Sequence, residues 1–153
     1  MSATQQVAAT FVLPELATPV PQPSGLDKPW YDAVRAARLV IQKCTSCGTW
    51  QWGPEWICRS CGGFDIAWEE VPKSADGCEG RIYSWERVWH PTHEALTDSV
   101  PYVVLLVELP EAGNVRMIGN LIGDQKAPVQ IGAPVMAVFE HHERYTLVHW
   151  KPS

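Results

Sequence analysis

Along its second half the chain alternates between apolar and polar positions with period two. Over 81–89, Ile82, Ser84, Glu86 and Val88 fall on one face and Tyr83, Trp85, Arg87 and Trp89 on the other, as in a strand with one buried side. Residues 102–109 form a nearly continuous β-branched apolar run, the pattern of a strand buried on both faces. Residues 115–122 follow a turn-forming stretch, Glu111 to Asn114, and are predicted to close a hairpin. Residues 135–139, after Gly132 and Pro134, and residues 144–150 complete the set. Five short strands punctuated by Gly, Pro and Asn predict a small barrel, best matched by the oligonucleotide/oligosaccharide-binding (OB) type.

Upstream the period changes. Trp30, Tyr31, Val34, Ala37 and Leu39 make a rough apolar stripe with Asp32, Arg35 and Arg38 between them, which predicts a short helix over 30–41. Asp27 is placed to cap it, with Pro29 in the first turn. Its last residues, Leu39 to Ile41, turn extended and lead into the next segment. Residues 1–29 carry Pro14, Pro19, Pro21, Pro23 and Pro29, and repeated proline blocks helix and sheet. An extended arm is expected there, with Phe11, Val12, Leu13 and Leu16 giving it apolar character.

The strongest signal lies between helix and barrel. Cys44 and Cys47 are separated by two residues, as are Cys58 and Cys61, with ten residues between the pairs. This spacing brings two sulfurs onto one metal at each tight turn, and Gly48 and Gly62 supply the positive φ that such knuckles use. Four thiolates suit tetrahedral zinc and fill its shell, so the metal is structural. The connector is expected to form a hairpin around Gly53-Pro54. The chain is thus read as mainly β: an N-terminal helix, a rubredoxin-like zinc ribbon, then a five-stranded OB-fold barrel. Its expected divisions are an arm (1–29), helix and lead-in strand (30–43), ribbon (44–72) and barrel (73–153).

Composition narrows the function. Twelve Lys and Arg against 17 Asp and Glu leave a net charge of −5 among 153 residues. No run of three basic residues occurs, which argues against a nucleic-acid partner, since phosphate contacts carry most non-specific affinity. The longest apolar run, 103–107, is far too short to span a bilayer. No basic start followed by an apolar core opens the chain, and a cytoplasmic location is expected. Five cysteines in such a chain argue against a disulfide framework. Eight tryptophans are many for this length, and point to contacts with a protein partner.

Taken in order, several stretches resemble one family. They are 30–39, with Trp30 and Tyr31; the first knuckle, Cys44 to Gly48; 80–85, with Gly80, Arg81 and Trp85; 101–109, with Pro101 and Tyr102; and 131–135, with Gly132 and Pro134. The family is the zinc-ribbon/OB-fold group of acyl-CoA-associated proteins, long catalogued as a domain of unknown function. Two departures stand out: Arg59-Ser60 in the second knuckle where a proline is usual, and a longer loop (73–79) and arm. The resemblance implies a small, non-catalytic partner subunit of a thiolase-like protein. Such pairs work as thiolases, acyltransferases or side-chain retro-aldolases on acyl-CoA, for example in steroid or aromatic degradation. The catalytic residues then belong to the partner, and none is expected here.

Residues for contact with the partner or the CoA channel can still be named. Trp50, Trp52 and Trp56 lie in the ribbon connector; either they form its small core or they offer a sticky face. Trp50 and Trp52 share a strand face, and one is expected to pack on Trp30. Arg59, Arg81 and Arg87 either meet CoA phosphates or stand as surface charges, the commoner role of lone arginines at strand ends. His90 and His93 flank Pro91 in the loop between the first two barrel strands, and either stand in solvent or face the partner's active site. His141 and His142 with Glu143 read as a polar turn. Cys78 has Asp76 and Glu79 beside it, and nearby negative charge opposes an activated thiolate. Two other functions fit the same modules: a single-stranded nucleic-acid binder, and a rubredoxin-like electron carrier with iron on the cysteines.

Overall fold

A computed structural model describes residues 20–22 and 24–153. The arm expected over 1–29 lies mostly outside them.

Helix α1 runs Lys28–Arg35, earlier and shorter than the apolar stripe predicts. Its end is a Schellman closure: Arg38 N–H donates to Ala33 O at 2.9 Å and Ala37 N–H to Val34 O at 3.0 Å. Ala37 takes φ 56° there, a left-handed position usually held by glycine. Asp27 occupies the cap position but makes no side-chain cap bond. Its carboxylate folds over Gly25, where an added Cβ would lie 2.4 Å from Asp27 Oδ1.

The ribbon is a three-stranded antiparallel sheet of β1 (Val40–Cys44), β2 (Trp50–Gln51) and β3 (Ile66–Glu70), with β1 central. The hairpin expected around Gly53-Pro54 does not form. β1 already pairs with β2 on one edge and β3 on the other, so the connector after Gln51 has no free strand beside it.

The barrel comprises β4 (Gly80–Val88), β5 (Tyr102–Leu109), β6 (Val115–Asn120), β7 (Pro134–His141) and β8 (Thr146–Pro152). The sheet order is β6-β5-β4-β7-β8. Ile122 N–H donates to Trp150 O at 2.8 Å and Leu121 bridges Trp150 in parallel, which draws β8 against the end of β6. The ring is therefore a nearly closed OB barrel.

The alternation predicted for β4 breaks at its start. A register shift lies between Ile82 and Ser84. Ile82 pairs with Val107, and Trp85 and Arg87 pair with Leu105 and Val103, all three partners being buried. The bulge thus moves Ile82 onto the face of Trp85 and Arg87, away from Ser84. One extra residue in a strand is enough to change the phase.

Ribbon and barrel share one core, and Trp30 of α1 packs against it. Leu39, Ile41 and Val71 belong to the same buried cluster as Ile82, Leu105, Val107, Met117 and Trp150. Gly119 lets this core close: a Cβ there would lie 2.7 Å from the Trp150 indole. No helix among the described residues is long and apolar enough to cross a membrane.

Candidate metal centre and partner face

Each knuckle is a closed turn. Gly48 N–H donates to Cys44 O at 2.8 Å and Gly62 N–H to Cys58 O at 2.9 Å. Both glycines have left-handed φ, 76° and 72°, as the spacing predicts. The four Sγ atoms of Cys44, Cys47, Cys58 and Cys61 lie within 4.8 Å of one another. Cys44 Sγ is 3.7 Å from Cys61 Sγ, and Cys47 Sγ is 3.5 Å from Cys58 Sγ. A tetrahedral zinc with bonds of about 2.3 Å sets its sulfurs about 3.8 Å apart, so the cage fits that ion. The separations far exceed a disulfide bond, and all five cysteines are free thiols.

The electrostatics call for a cation. The Thr49 hydroxyl, 3.2 Å from Cys47 Sγ, and the Thr49 backbone lower the Cys47 thiol to about 6. Cys61 gains a favourable Gly63 backbone bond, yet bonds to Cys47, Cys44 and Cys58 push it up to about 12. Four sulfurs this close cannot all ionise on their own, and a divalent ion resolves the conflict by displacing their protons.

Two glutamines hold the second knuckle's approach. Gln42 and Gln51 are 2% and 0% exposed, and Gln51 Nε2 donates to Gln42 Oε1 at 3.1 Å. Gln42 pairs with the Glu55 backbone, donating to its carbonyl at 3.1 Å and accepting from its N–H at 2.9 Å. Gln51 donates to Ile57 O at 3.2 Å and accepts from Arg59 N–H at 3.1 Å. These amides give the connector the bonds that a neighbouring strand would have given. Sequence reasoning missed them because a glutamine in a short strand looks like a solvent position.

The expected contact residues divide among several places. Trp30 and Trp52 pack with centroids 5.4 Å apart. Trp50 has the Lys43 ammonium 4.8 Å from its ring and lies beneath Gly113 of the barrel. These three tryptophans pack against the shared core. Trp56 is 71% exposed. Arg81 is ion-paired with Asp76, whose carboxyl that bond lowers. His90 and His93 are exposed, and His93 Nδ1 accepts Ala95 N–H at 3.1 Å, capping the 3-10 turn Glu94–Ser99. Cys78 is buried and its backbone N–H donates to Asp76.

The expected polar turn at 141–143 holds more than a turn. Glu140 is buried and bridges His142 Nε2 (2.6 Å) and His149 Nε2 (2.7 Å). Burial lowers the His149 pKa, although Glu140 opposes the shift. No motif announces this cluster, since His149 lies on a different strand from Glu140.

Ribbon and barrel define the class: a four-cysteine zinc-ribbon protein fused to an OB fold. Residues 32–67 match the ChsH2 rubredoxin-like zinc ribbon domain, and residues 73–140 the ChsH2 C-terminal OB-fold domain. A solved structure described as the Ltp2-ChsH2(DUF35) aldolase has a chain that superposes with a TM-score of 0.72 at 33% identity. That match covers 88% of this chain and 98% of the other. The chain belongs to the ChsH2/DUF35 family, and zinc is its structural metal.

Two curated relatives are longer. A probable enoyl-CoA hydratase alpha subunit of Thermomonospora curvata is 37% identical over 125 residues. The 3-oxo-4,17-pregnadiene-20-carboxyl-CoA hydratase alpha subunit of Mycobacterium tuberculosis is 31% identical over 126. Each match takes in 81% of this chain, which spans only 36% and 37% of those two proteins.

Proposed function

We propose that this chain is the small, non-catalytic subunit of a thiolase-like acyl-CoA enzyme, with 44–72 as its ribbon and 73–153 as its barrel. The observation that carries this reading is the match over nearly the full length of the DUF35 chain in the Ltp2-ChsH2(DUF35) aldolase. The two relatives named as CoA hydratase subunits place similar sequence in acyl-CoA chemistry.

The side chains are consistent with an organising role. Four of the five cysteines form the metal cage. His142 and His149 are tied to Glu140, and His93 to a backbone N–H. Zinc fixes the ribbon, the ribbon shares the barrel's core with the helix packed against it, and the assembled surface docks on the partner beside its CoA channel. Thiolysis, acyl transfer or carbon–carbon cleavage is then the partner's choice. The net charge of −5 disfavours the nucleic-acid alternative.

Co-expression with a thiolase-like protein from the same genome, followed by size-exclusion chromatography, tests this. Co-elution as one complex is expected; separate elution of the two proteins at micromolar concentration would overturn it.

A further inference from the structure

Three large apolar side chains stand in solvent around the second knuckle: Trp56 is 71% exposed, Ile57 44% and Phe64 78%. Cys58 N–H donates to Gly63 O at 2.8 Å, as Gly62 N–H does to Cys58 O. Residues 57 and 64 therefore leave the same closed turn side by side. Large exposed apolar groups in a cluster mark interaction sites, whereas scattered ones are ordinary.

This cluster is also held in place. The Gln42 amide fixes Glu55 and the Gln51 amide fixes Ile57 and Arg59, so the backbone is pinned on both sides of Trp56. The bonds that aim Cys58 at the metal thus also order a tryptophan that lies outside the core cluster. Anchors ordered before binding lose less entropy on docking.

The surroundings state what the partner must look like. Glu55 and Asp65 are exposed and adjoin the triad in sequence. Over 44–72 the ionic side chains are Arg59 against Glu55, Asp65, Glu69 and Glu70, 1 − 4 = −3. Arg59 is engaged with Trp52 O at 2.8 Å, and a zinc ion with four thiolates adds further negative charge. A second copy of the chain would bring like charge to this tip, and a nucleic acid would be repelled.

We infer that Trp56, Ile57 and Phe64, with their acidic rim, form the docking tip for the partner subunit, which receives it in an apolar cleft edged by Lys and Arg. This rests on the accessory-subunit reading and gives that reading a surface. The tryptophans at the seam, Trp30, Trp50 and Trp52, then serve the fold.

The test measures affinity of the full, zinc-loaded chain for the thiolase-like protein that co-elutes with it. Trp56→Ser and Phe64→Ser are each expected to weaken binding on the order of 30-fold, the effect of losing an anchor residue, with zinc content and melting temperature retained. Ile131→Ser, at a barrel residue 58% exposed, is the control and should leave affinity unchanged. Glu55→Lys with Asp65→Lys should slow association and weaken its salt dependence. Unchanged affinity in the Trp56→Ser/Phe64→Ser double variant overturns the docking tip and leaves the accessory-subunit reading standing. Failure of the wild-type chain to bind overturns both. A wild-type dimer that the double variant breaks would assign the tip to a second copy and overturn the inference.

Discussion

Gln51→Leu tests whether buried amides stabilise the metal site. Leucine nearly matches glutamine in size, so little cavity opens. The change removes three hydrogen bonds: to Gln42 Oε1, to Ile57 O and from Arg59 N–H. Gln42 Oε1 keeps the Glu55 N–H, so it is not orphaned, and the lost amide–amide bond costs about 1 kcal/mol. Ile57 O and Arg59 N–H lose a partner in a part-buried setting, at about 1 kcal/mol each, the low end for orphaned groups. With the lost amide–amide bond the cost is about 3 kcal/mol, and the added apolar burial returns about 1 kcal/mol. The net is about 2 kcal/mol. Because ribbon folding and metal binding are one equilibrium, it should appear as about 30-fold weaker zinc affinity. Competition with a chromophoric zinc chelator reads that number, with Thr92→Ala, at an exposed loop residue of the barrel, as a surface control. Zinc affinity within about threefold of wild type would refute the claim that the amides hold the knuckle.

Other consequences follow from named contacts. Gly119→Ala forces a Cβ to within 2.7 Å of the fully buried Trp150 indole and 2.9 Å of Val148 O. It should destabilise the barrel by about 2 kcal/mol in urea unfolding; an unchanged midpoint would show that the core can move. Cys58→Ser should abolish stoichiometric zinc in elemental analysis and weaken assembly with the partner, while intact assembly would separate the metal from docking. Burial holds the His149 pKa below 6.5 in the fold, so the unfolded chain takes up that proton first. Stability should therefore be level near neutrality and fall as pH drops below about 6.5. His149→Gln should flatten that slope in thermal melts, and an equal slope in the variant would remove His149 as its source.

The cysteine spacing, the glycines behind it and the strand-length runs of the barrel were legible because each is a local signal. Gly48 and Gly62 take the conformations their place in the motif requires, and five strands appear near the predicted ranges. What failed depended on tertiary context. The helix ends at Arg35, and the left-handed closure at Ala37 is one normally announced by glycine, so no letter marked the stop. The bulge after Ile82 changes the phase of β4 without any glycine or proline to signal it. The connector hairpin failed because β1 had no edge left to offer. Among the site residues, the four ligands were readable, but the glutamine brace was not. Its amides bond residues 6 to 13 positions away, and only the folded ribbon shows that they are buried. Trp56 could be read either as filler of a small core or as part of a sticky face, and only the fold shows that the barrel supplies the ribbon's core and leaves Trp56 exposed.

Reconstitution of turnover tests the central claim most directly. The proposed thiolase-like partner would be purified alone and assayed on acyl-CoA with increasing amounts of the zinc-loaded chain. Activity that is absent or low in the partner, rises with added chain and saturates is the predicted result. Turnover that is complete without the chain and unchanged by its addition would contradict the account.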